Sequence, residues 1–210
     1  MNNTYMGIPN GYAGLETDVL MLDAYLTSSE NGSVAGVVEQ VDIMRKAGAK
    51  EGKPCFYFLV GGNFPLHYKE PSYGEQLAQS WGSLCSGCTG ISYFYGFFMT
   101  PGNWRAVTQV AREAGEVEKY LVSETLVDDV RASEPRSNLR VLTRQLGKET
   151  LVATCNIAKT PLGEVTFTMP DTLPQKGKVE VLFENRTLPL RDGVFTDHFE
   201  PYTRHIYRIR

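Results

Sequence analysis

The sequence offers little that would tie it to a membrane, a metal ion or a nucleic acid. No apolar run approaches the roughly 18 residues that cross a bilayer, and the N-terminus lacks the basic region and apolar core of a signal peptide. A net charge of −3 gives no electrostatic reason to bind nucleic acid or an anionic membrane. The 3 histidines show no metal-ligand spacing. We therefore expect no cofactor, no metal, and no nucleic-acid or membrane partner.

Cysteine is also scarce, with 4 residues in the chain. Cys85 and Cys88 have CxxC spacing, but no second pair and no nearby histidine completes a zinc site. The two thiols fall on the same predicted helical face as Leu77 and Trp81. We expect two small packed residues rather than a redox pair.

Up to about residue 122, the sequence contains a repeated strand–helix pattern. Predicted strands at residues 18–25, 53–60 and 90–98 alternate with amphipathic helices that open at Ser33, Ser72 and Asn103. Consecutive units of this kind predict a parallel sheet with right-handed crossovers. Three strands leave the edges of such a sheet open, so we expect it to self-associate or to belong to something larger.

After about residue 122, the spacing of hydrophobic residues changes from the 3.6-residue period of a helix to the 2-residue period of a strand. Residues 123–138 are polar and are interpreted as a linker. Five short alternating segments follow between turn signals, at residues 139–146, 150–157, 164–169, 178–184 and 202–209. The sequence thus predicts an α/β segment at 1–122 and a small antiparallel β-sandwich at 139–210.

This order of parts resembles the C-terminal half of a clan-A-like glycoside hydrolase, in which a (β/α)₈ barrel precedes a β-sandwich. Three stretches carry the resemblance. Residues 18–25 look like the sixth barrel strand, residues 75–94 like the eighth strand and the helix before it, and residues 195–207 like the closing strands of the sandwich. The resemblance implies that residues 1–122 form a partial (β/α) barrel of three βα units. Strands one to five would lie in a missing N-terminal half-barrel.

Glycoside hydrolysis normally requires two carboxyl groups, about 5 Å apart in retaining enzymes. The resemblance makes residues 53–60 the seventh barrel strand, where many retaining enzymes carry the nucleophilic glutamate. Here the strand ends in Gly61-Gly62-Asn63. Neither residue type can act as an acid or a nucleophile, so the common retaining mechanism is not expected. The glycines would leave room for a ligand, which Asn63 would hydrogen-bond.

Two acids are candidate catalytic residues. Asp23 ends a predicted strand, and barrel sites lie at the carboxyl ends of the strands. Its alternative role is structural, capping a loop or pairing with an arginine. Glu70, at the end of the loop after the second strand, is the other candidate. Glu75 is assigned instead to an S-x-x-E capping box with Ser72.

Polar and aromatic side chains near the predicted strand ends are candidate sugar-binding residues, namely Tyr25, Asn63, His67, Tyr95 and Trp104. Sugars stack their C–H faces on aromatic rings, but aromatic residues in strands and helices usually belong to the core. Trp104, directly after Asn103, is the strongest candidate for an exposed ring.

Three interpretations follow. The chain is the C-terminal segment of a glycoside hydrolase, inactive alone, whose parent protein would be secreted or periplasmic. Alternatively, it is a non-catalytic carbohydrate-binding or structural module derived from a glycosidase. The third interpretation, an unrelated α/β plus β protein, is disfavoured because no Gly-rich phosphate loop follows a predicted strand. The first two predict a carbohydrate ligand.

Overall fold

The computed structural model describes residues 2–4, 17–23, 25–28, 32–50, 52–62, 69–94, 99–123 and 129–210. The chain divides into two compact units, Met1–Val110 and Ala111–Arg210. Among the described residues, no helix combines the length and apolar character needed to cross a bilayer.

The first unit contains a parallel sheet of four strands, in the order β1-β2-β3-β4. The strands are β1 (Asn2–Thr4), β2 (Leu20–Asp23), β3 (Cys55–Val60) and β4 (Gly90–Phe94). Every neighbouring pair is parallel. The predicted parallel sheet is therefore present, with β1 as an additional strand. Residues 95–98 of the predicted third strand lie outside the described residues.

Three helices accompany these strands, namely α1 (Val34–Ala49), α2 (Tyr73–Cys85) and α3 (Pro101–Leu121), with a short 3-10 turn at Leu26–Ser28. The predicted caps of the first two helices are confirmed. Ser33 accepts a hydrogen bond from Gly36 N at 3.1 Å. Ser72 and Glu75 form the reciprocal capping box, with N–O distances of 3.2 and 2.8 Å.

The predicted cap of the third helix is wrong. Helix α3 begins at Pro101, two residues before Asn103. Thr100 takes the capping position, because its carbonyl accepts from Trp104 N at 2.9 Å and its hydroxyl faces Asn103 N at 3.4 Å. Proline is well suited to the first helical position, since it has no N–H to leave unsatisfied there.

The core of the first unit lies between the sheet and its helices. Val37, Val41 and Met44 of α1 pack on Leu20, Leu22, Tyr57 and Leu59 of the sheet. Cys85 and Cys88 are buried free thiols, as predicted, but the prediction that both lie on one helical face is wrong, because α2 ends at Cys85. Cys88 lies beyond the end of α2 and donates to the carbonyl of Cys55 at 3.1 Å. Burial raises the pKa of Cys88 to about 12, so this thiol is not poised for redox chemistry.

The second unit is built from two antiparallel sheets. Across the first sheet the strands lie in the order β10-β9-β12-β7-β6, and across the second in the order β11-β8-β5. The strands are β5 (Arg131–Ala132), β6 (Leu139–Leu146), β7 (Glu149–Asn156), β8 (Gly163–Thr168), β9 (Gly177–Val181), β10 (Arg186–Leu190), β11 (Val194–Phe199) and β12 (Arg204–Ile209). The five predicted alternating segments correspond to β6, β7, β8, β9 and β12. Strand β5 falls within the range interpreted as a linker.

Both sheets contribute to one aromatic core. Phe167 of β8 stacks on Phe195 of β11 with ring centroids 4.8 Å apart, and lies 5.6 Å from Tyr207 of β12 in the other sheet. Phe195 and Tyr207 meet edge to face at 5.0 Å. The two sheets therefore enclose a shared core, as in a β-sandwich.

Candidate functional site

The carboxyl end of the parallel sheet brings together two of the predicted site residues. Asp23 ends β2, is half-buried, and lies in register with Phe58 of β3. Tyr25 follows two residues later, and its ring stacks on Phe94 at the end of β4, with centroids 5.0 Å apart and planes 14° from parallel. Asp23 and Tyr25 thus lie at the edge where α/β proteins place their chemistry.

Gly61, directly after β3, is required by the packing of the chain itself. Its N–H donates to the carbonyl of Phe94 at 2.9 Å. A Cβ at this position would lie 2.1 Å from Met99 Cε and 2.9 Å from the Phe94 carbonyl oxygen. The expectation that Gly61 leaves room for a ligand is therefore corrected, because Met99 occupies that space.

A buried network of neutral side chains holds the segment that follows Asp23. Gln79 of α2 donates to the carbonyl of Val60 at 3.0 Å and to Gln76 Oε1 at 2.9 Å. Its own side-chain oxygen accepts from the Thr27 hydroxyl at 2.8 Å. Sequence reasoning missed this network. Its signal was present in two glutamines, three residues apart, within an otherwise apolar helical pattern.

Glu70, the second predicted acid, is tied to the start of α3. Its Oε1 accepts from Thr100 N and from Asn103 Nδ2, both at 2.8 Å. Asn103 Nδ2 also donates to the carbonyl of Pro71 at 2.8 Å. A carboxylate is favourable beside the N-terminus of a helix, where free N–H groups and the helix dipole attract negative charge. Glu70 therefore has a structural role in the first turn of α3.

Glu75 also has a structural role, as its capping box predicts. Lys69 Nζ lies 2.9 Å from Glu75 Oε1. Burial raises the pKa of Glu75, but hydrogen bonds from Ser72 and Lys69 outweigh burial and hold this pKa below its usual value.

The predicted aromatic residues differ in exposure. Trp104, on the first turn of α3, is 56% exposed and is therefore accessible to a ligand. Tyr93 of β4 shares a hydrogen bond of 2.8 Å with Ser80, and burial raises the pKa of its hydroxyl to about 12. Tyr93 thus behaves as a core aromatic. Asn63, His67 and Tyr95 lie outside the described residues.

In the second unit, the stretch that carries the sandwich resemblance forms a charged network. Arg186 donates two hydrogen bonds to Asp197, at 2.9 and 2.7 Å, and Tyr207 donates to Asp197 at 3.0 Å. His205 Nδ1 lies 2.6 Å from Glu184 Oε1. Burial raises the pKa of Asp197, but the hydrogen bonds from Arg186 and the His198 backbone, together with the nearby charges of His205 and Arg186, outweigh burial and lower this pKa overall. The polar residues of the stretch 195–207 therefore have a structural role, because their ion pairs and hydrogen bonds connect strands of the sandwich.

In the described part of the chain, the histidine, cysteine, aspartate and glutamate side chains form no group of three or more that would hold a metal ion. Of the predicted site residues that the structure describes, Asp23 and Tyr25 lie at the carboxyl end of the sheet, and Trp104 lies on the first turn of α3.

No protein-family model matches the chain, and no curated protein matches its sequence. Solved structures do match its fold. Amy13B of Eubacterium rectale has a TM-score of 0.59 at 8% identity, over 99% of this chain and 52% of that one. The α-amylase of Geobacillus thermoleovorans, complexed with acarbose, has a TM-score of 0.57 at 11% identity, over 91% and 53%. The maltogenic α-amylase AmyB of Thermotoga neapolitana has a TM-score of 0.56 at 8% identity, over 99% and 54%.

The chain spans about half the length of these enzymes. At such low identity the likeness establishes the fold and not the substrate. The predicted resemblance to the C-terminal half of a glycoside hydrolase is confirmed at this level, and the chain has the fold of about half of an α-amylase.

Proposed function

We propose that the chain is the C-terminal segment of a glycoside hydrolase that acts on a carbohydrate, and that it is inactive by itself. Residues 1–122 would be a partial (β/α) barrel, residues 123–138 a linker and residues 139–210 the β-sandwich. The observation that carries the proposal is the parallel sheet β1-β2-β3-β4, in which consecutive strands are neighbours, within a fold shared with about half of an α-amylase.

The strand order supports a barrel segment. In a (β/α)₈ barrel every strand is parallel to both neighbours and is followed by a helix. Helix α1 lies between β2 and β3 in the chain, and α2 lies between β3 and β4. An open doubly wound sheet instead reverses its strand order at a switch point. The four strands in the structure increase in order without such a reversal.

The proposed inactivity rests on the carboxylates. Hydrolysis requires a pair of acids that flank the scissile bond. Asp23 is our first candidate, because it ends a strand at the carboxyl edge of the sheet. Glu70 is the second candidate, but its Oε1 already accepts two hydrogen bonds from the start of α3. The second acid would then come from strands that precede these four.

Substrate contacts are proposed at Tyr25 and Trp104, together with Asn63, His67 and Tyr95. Trp104 offers an exposed ring that a sugar face can cover. One of the similar α-amylases is complexed with acarbose, so α-glucans are the first substrates to test.

A hydrolysis assay tests this proposal. The chain alone should release no reducing sugar from maltoheptaose, whereas a longer chain with the four missing barrel strands and their helices upstream should do so. In that longer chain Asp23→Asn should lower kcat about a hundredfold or more, the usual effect of losing a general acid or base. The matched control is Asp18→Asn, at an exposed position just before the same strand. Equal activity of Asp23→Asn and the parent would remove Asp23 from the mechanism.

A non-catalytic carbohydrate-binding module is the second candidate function. It is favoured by the exposed Trp104 and by the absence of an acid in Gly61-Gly62-Asn63. An in-frame stop codon just upstream of Met1 would support it over the first proposal. Glycan binding that is lost in Trp104→Ala and Tyr95→Ala would then be expected, and an array without hits would contradict it.

A further inference from the structure

The second unit contains a groove of about 920 Å³ that the proposed function does not use. Its walls come from residues 116–120 of α3, from the β9–β10 hairpin and from the C-terminal strand with Arg210, and all of these residues lie within Ala111–Arg210. A volume of this size matches the roughly 300–1,000 Å³ of small-molecule sites. The groove is therefore large enough for several sugar rings.

The polar side chains of the groove are held in place before any ligand arrives. Arg208 donates to Glu180 Oε2 from Nε at 3.0 Å and from Nη2 at 2.8 Å. Arg210 donates to Glu149 at 2.6 Å, and Glu149 also accepts from the hydroxyl of Tyr120. Groups that are already fixed lose less conformational entropy on binding. The groove is thus preorganised.

Four cations and two carboxylates line the groove, and two further carboxylates, Asp197 and Glu149, pair with its arginines. Three of its four lining cations are arginines with carboxylate partners, in the pairs Arg186–Asp197, Arg208–Glu180 and Arg210–Glu149, at 2.7, 2.8 and 2.6 Å. The fourth cation is Lys178, and the charge of Glu116, which also lines the groove, offsets its charge. An anionic ligand would find no excess of positive charge. An arginine has five N–H donors and a carboxylate has two acceptor oxygens, so these paired ions can still form hydrogen bonds with neutral hydroxyl groups.

The groove also presents aromatic surface at an unusual backbone position. Phe183 lines it from the turn between β9 and β10, with φ = 68°, and Asn185 follows with φ = 51°. Asparagine tolerates the left-handed region, but a phenylalanine there is an outlier that costs free energy. Glycine would serve the turn better. The half-buried ring of Phe183 is therefore held against the groove by a backbone conformation that costs free energy.

We infer that this groove is a second carbohydrate site, which takes a neutral oligosaccharide through the ring of Phe183 and the paired polar groups of β9 and β12. A sugar presents hydroxyl groups at its edge and C–H bonds on its faces, and the groove offers polar and aromatic partners for both. The site goes beyond the proposed function, because no residue of the barrel segment's strand ends takes part in it.

The test is a titration of the full chain with maltoheptaose, followed by amide chemical shifts. We expect saturable binding with shifts concentrated at residues 178–187. Phe183→Gly should weaken binding about tenfold or more, because it removes the ring, while glycine relieves the left-handed backbone and keeps the turn folded. The matched control is Asp192→Gly, which places glycine at φ = 47° in an exposed turn outside the groove. It should bind like the parent.

Three outcomes would overturn the inference. These are no saturation with maltoheptaose, full binding by Phe183→Gly, and preference for a galacturonate oligomer over the neutral glucan. Trp104→Ala separates the two proposals, since loss of binding in that variant alone would assign the sugar to the first unit. A failure of the hydrolysis assay would not contradict the inference about the groove, because the titration measures binding directly.

Discussion

The two units use buried polar side chains in opposite ways. Among the described residues, those buried in Met1–Val110 are all uncharged, namely Thr27, Gln76, Gln79, Ser80, Ser83, Ser86 and Asn103. In Ala111–Arg210 the buried set includes ionisable groups, Glu113, Arg140 and His205. The first unit therefore depends on neutral hydrogen bonds around its strand ends, whereas the second depends on paired charges. The two should respond differently to pH and to the loss of one partner.

Removal of one buried charge should have the largest effect. Glu113 is fully buried and pairs with Arg204, whose side chain is 12% exposed. In Glu113→Ala the guanidinium would stay buried without this partner, so we expect a loss of about 3–5 kcal/mol in the free energy of unfolding. Urea denaturation measures this value. The control is Glu118→Ala, on the exposed side of α3, which should change stability by less than about 0.5 kcal/mol. Equal effects of the two substitutions would contradict the importance of the buried pair.

Acid should weaken the second unit through Asp197. The pKa of this group is lowered in the folded state from 3.8, so its stabilisation is complete above that pH and is lost as the pH falls through the folded pKa. Asp197→Asn should cost about 2–3 kcal/mol at pH 7, because charged hydrogen bonds from Arg186 are lost. The difference between the variant and the parent should shrink below pH 3.8. A difference that stays constant down to about pH 2.5 would remove Asp197 from the acid response.

Loss of the neutral network should have a smaller effect that does not depend on pH. Gln79→Leu leaves the carbonyl of Val60 and the hydroxyl of Thr27 without this partner. We expect a cost of about 1–3 kcal/mol, equal at about pH 4 and pH 8, by thermal or urea unfolding. Glu39→Ala, on the exposed face of α1, is the control and should be neutral. A cost that rises toward low pH would break the contrast between the units.

Two glycines, Gly61 and Gly115, should respond to alanine with opposite signs, and Gly115→Ala should have the smallest effect of all. In Gly61→Ala the new methyl group meets Met99 and the Phe94 carbonyl, so a loss of about 1–3 kcal/mol is expected. A methyl group at Gly115, inside α3, would meet no atom within 4 Å beyond the local helix backbone, so Gly115→Ala should stabilise by up to about 1 kcal/mol. Thermal unfolding of both variants measures the sign and the size of each change in stability. Opposite signs support the close packing at Gly61, and a neutral Gly61→Ala would show that the strand end is open.

Local patterns explain which parts of the fold were predictable. The caps at Ser33 and Ser72 and the apolar face of α1 follow from short-range spacing, and the structure confirms them. Strand β10 was not among the predicted segments, and its Pro189 is a residue that counts against a strand. The structure tolerates this proline because β10 is at an edge of its sheet, where one side of the strand needs no partner. The two residues of β5 are too few to show any period.

The candidate site was less predictable, because it depends on which strand ends meet. Asp23 and Tyr25 were recognisable from their place after an apolar run. The stacking of Tyr25 on Phe94 joins residues from strands that are not sequence neighbours, and no spacing signals it. The attachment of Glu70 to Thr100 and Asn103 likewise spans 30 residues or more. The catalytic and sugar-binding roles of the candidate residues remain predictions.

The sequence by itself determined the alternation of strands and helices from β2 to α3, the caps of α1 and α2, and the change from a helical to an alternating pattern, because these depend on residues within a few positions of one another. The tertiary structure alone decided why β3 ends in glycine and how the charges of the sandwich are paired. Gly61 faces Met99 and Phe94, and Arg204 faces Glu113, across separations in the chain that carry no local signal. Such partners are far apart in the sequence and come into contact only in the folded chain.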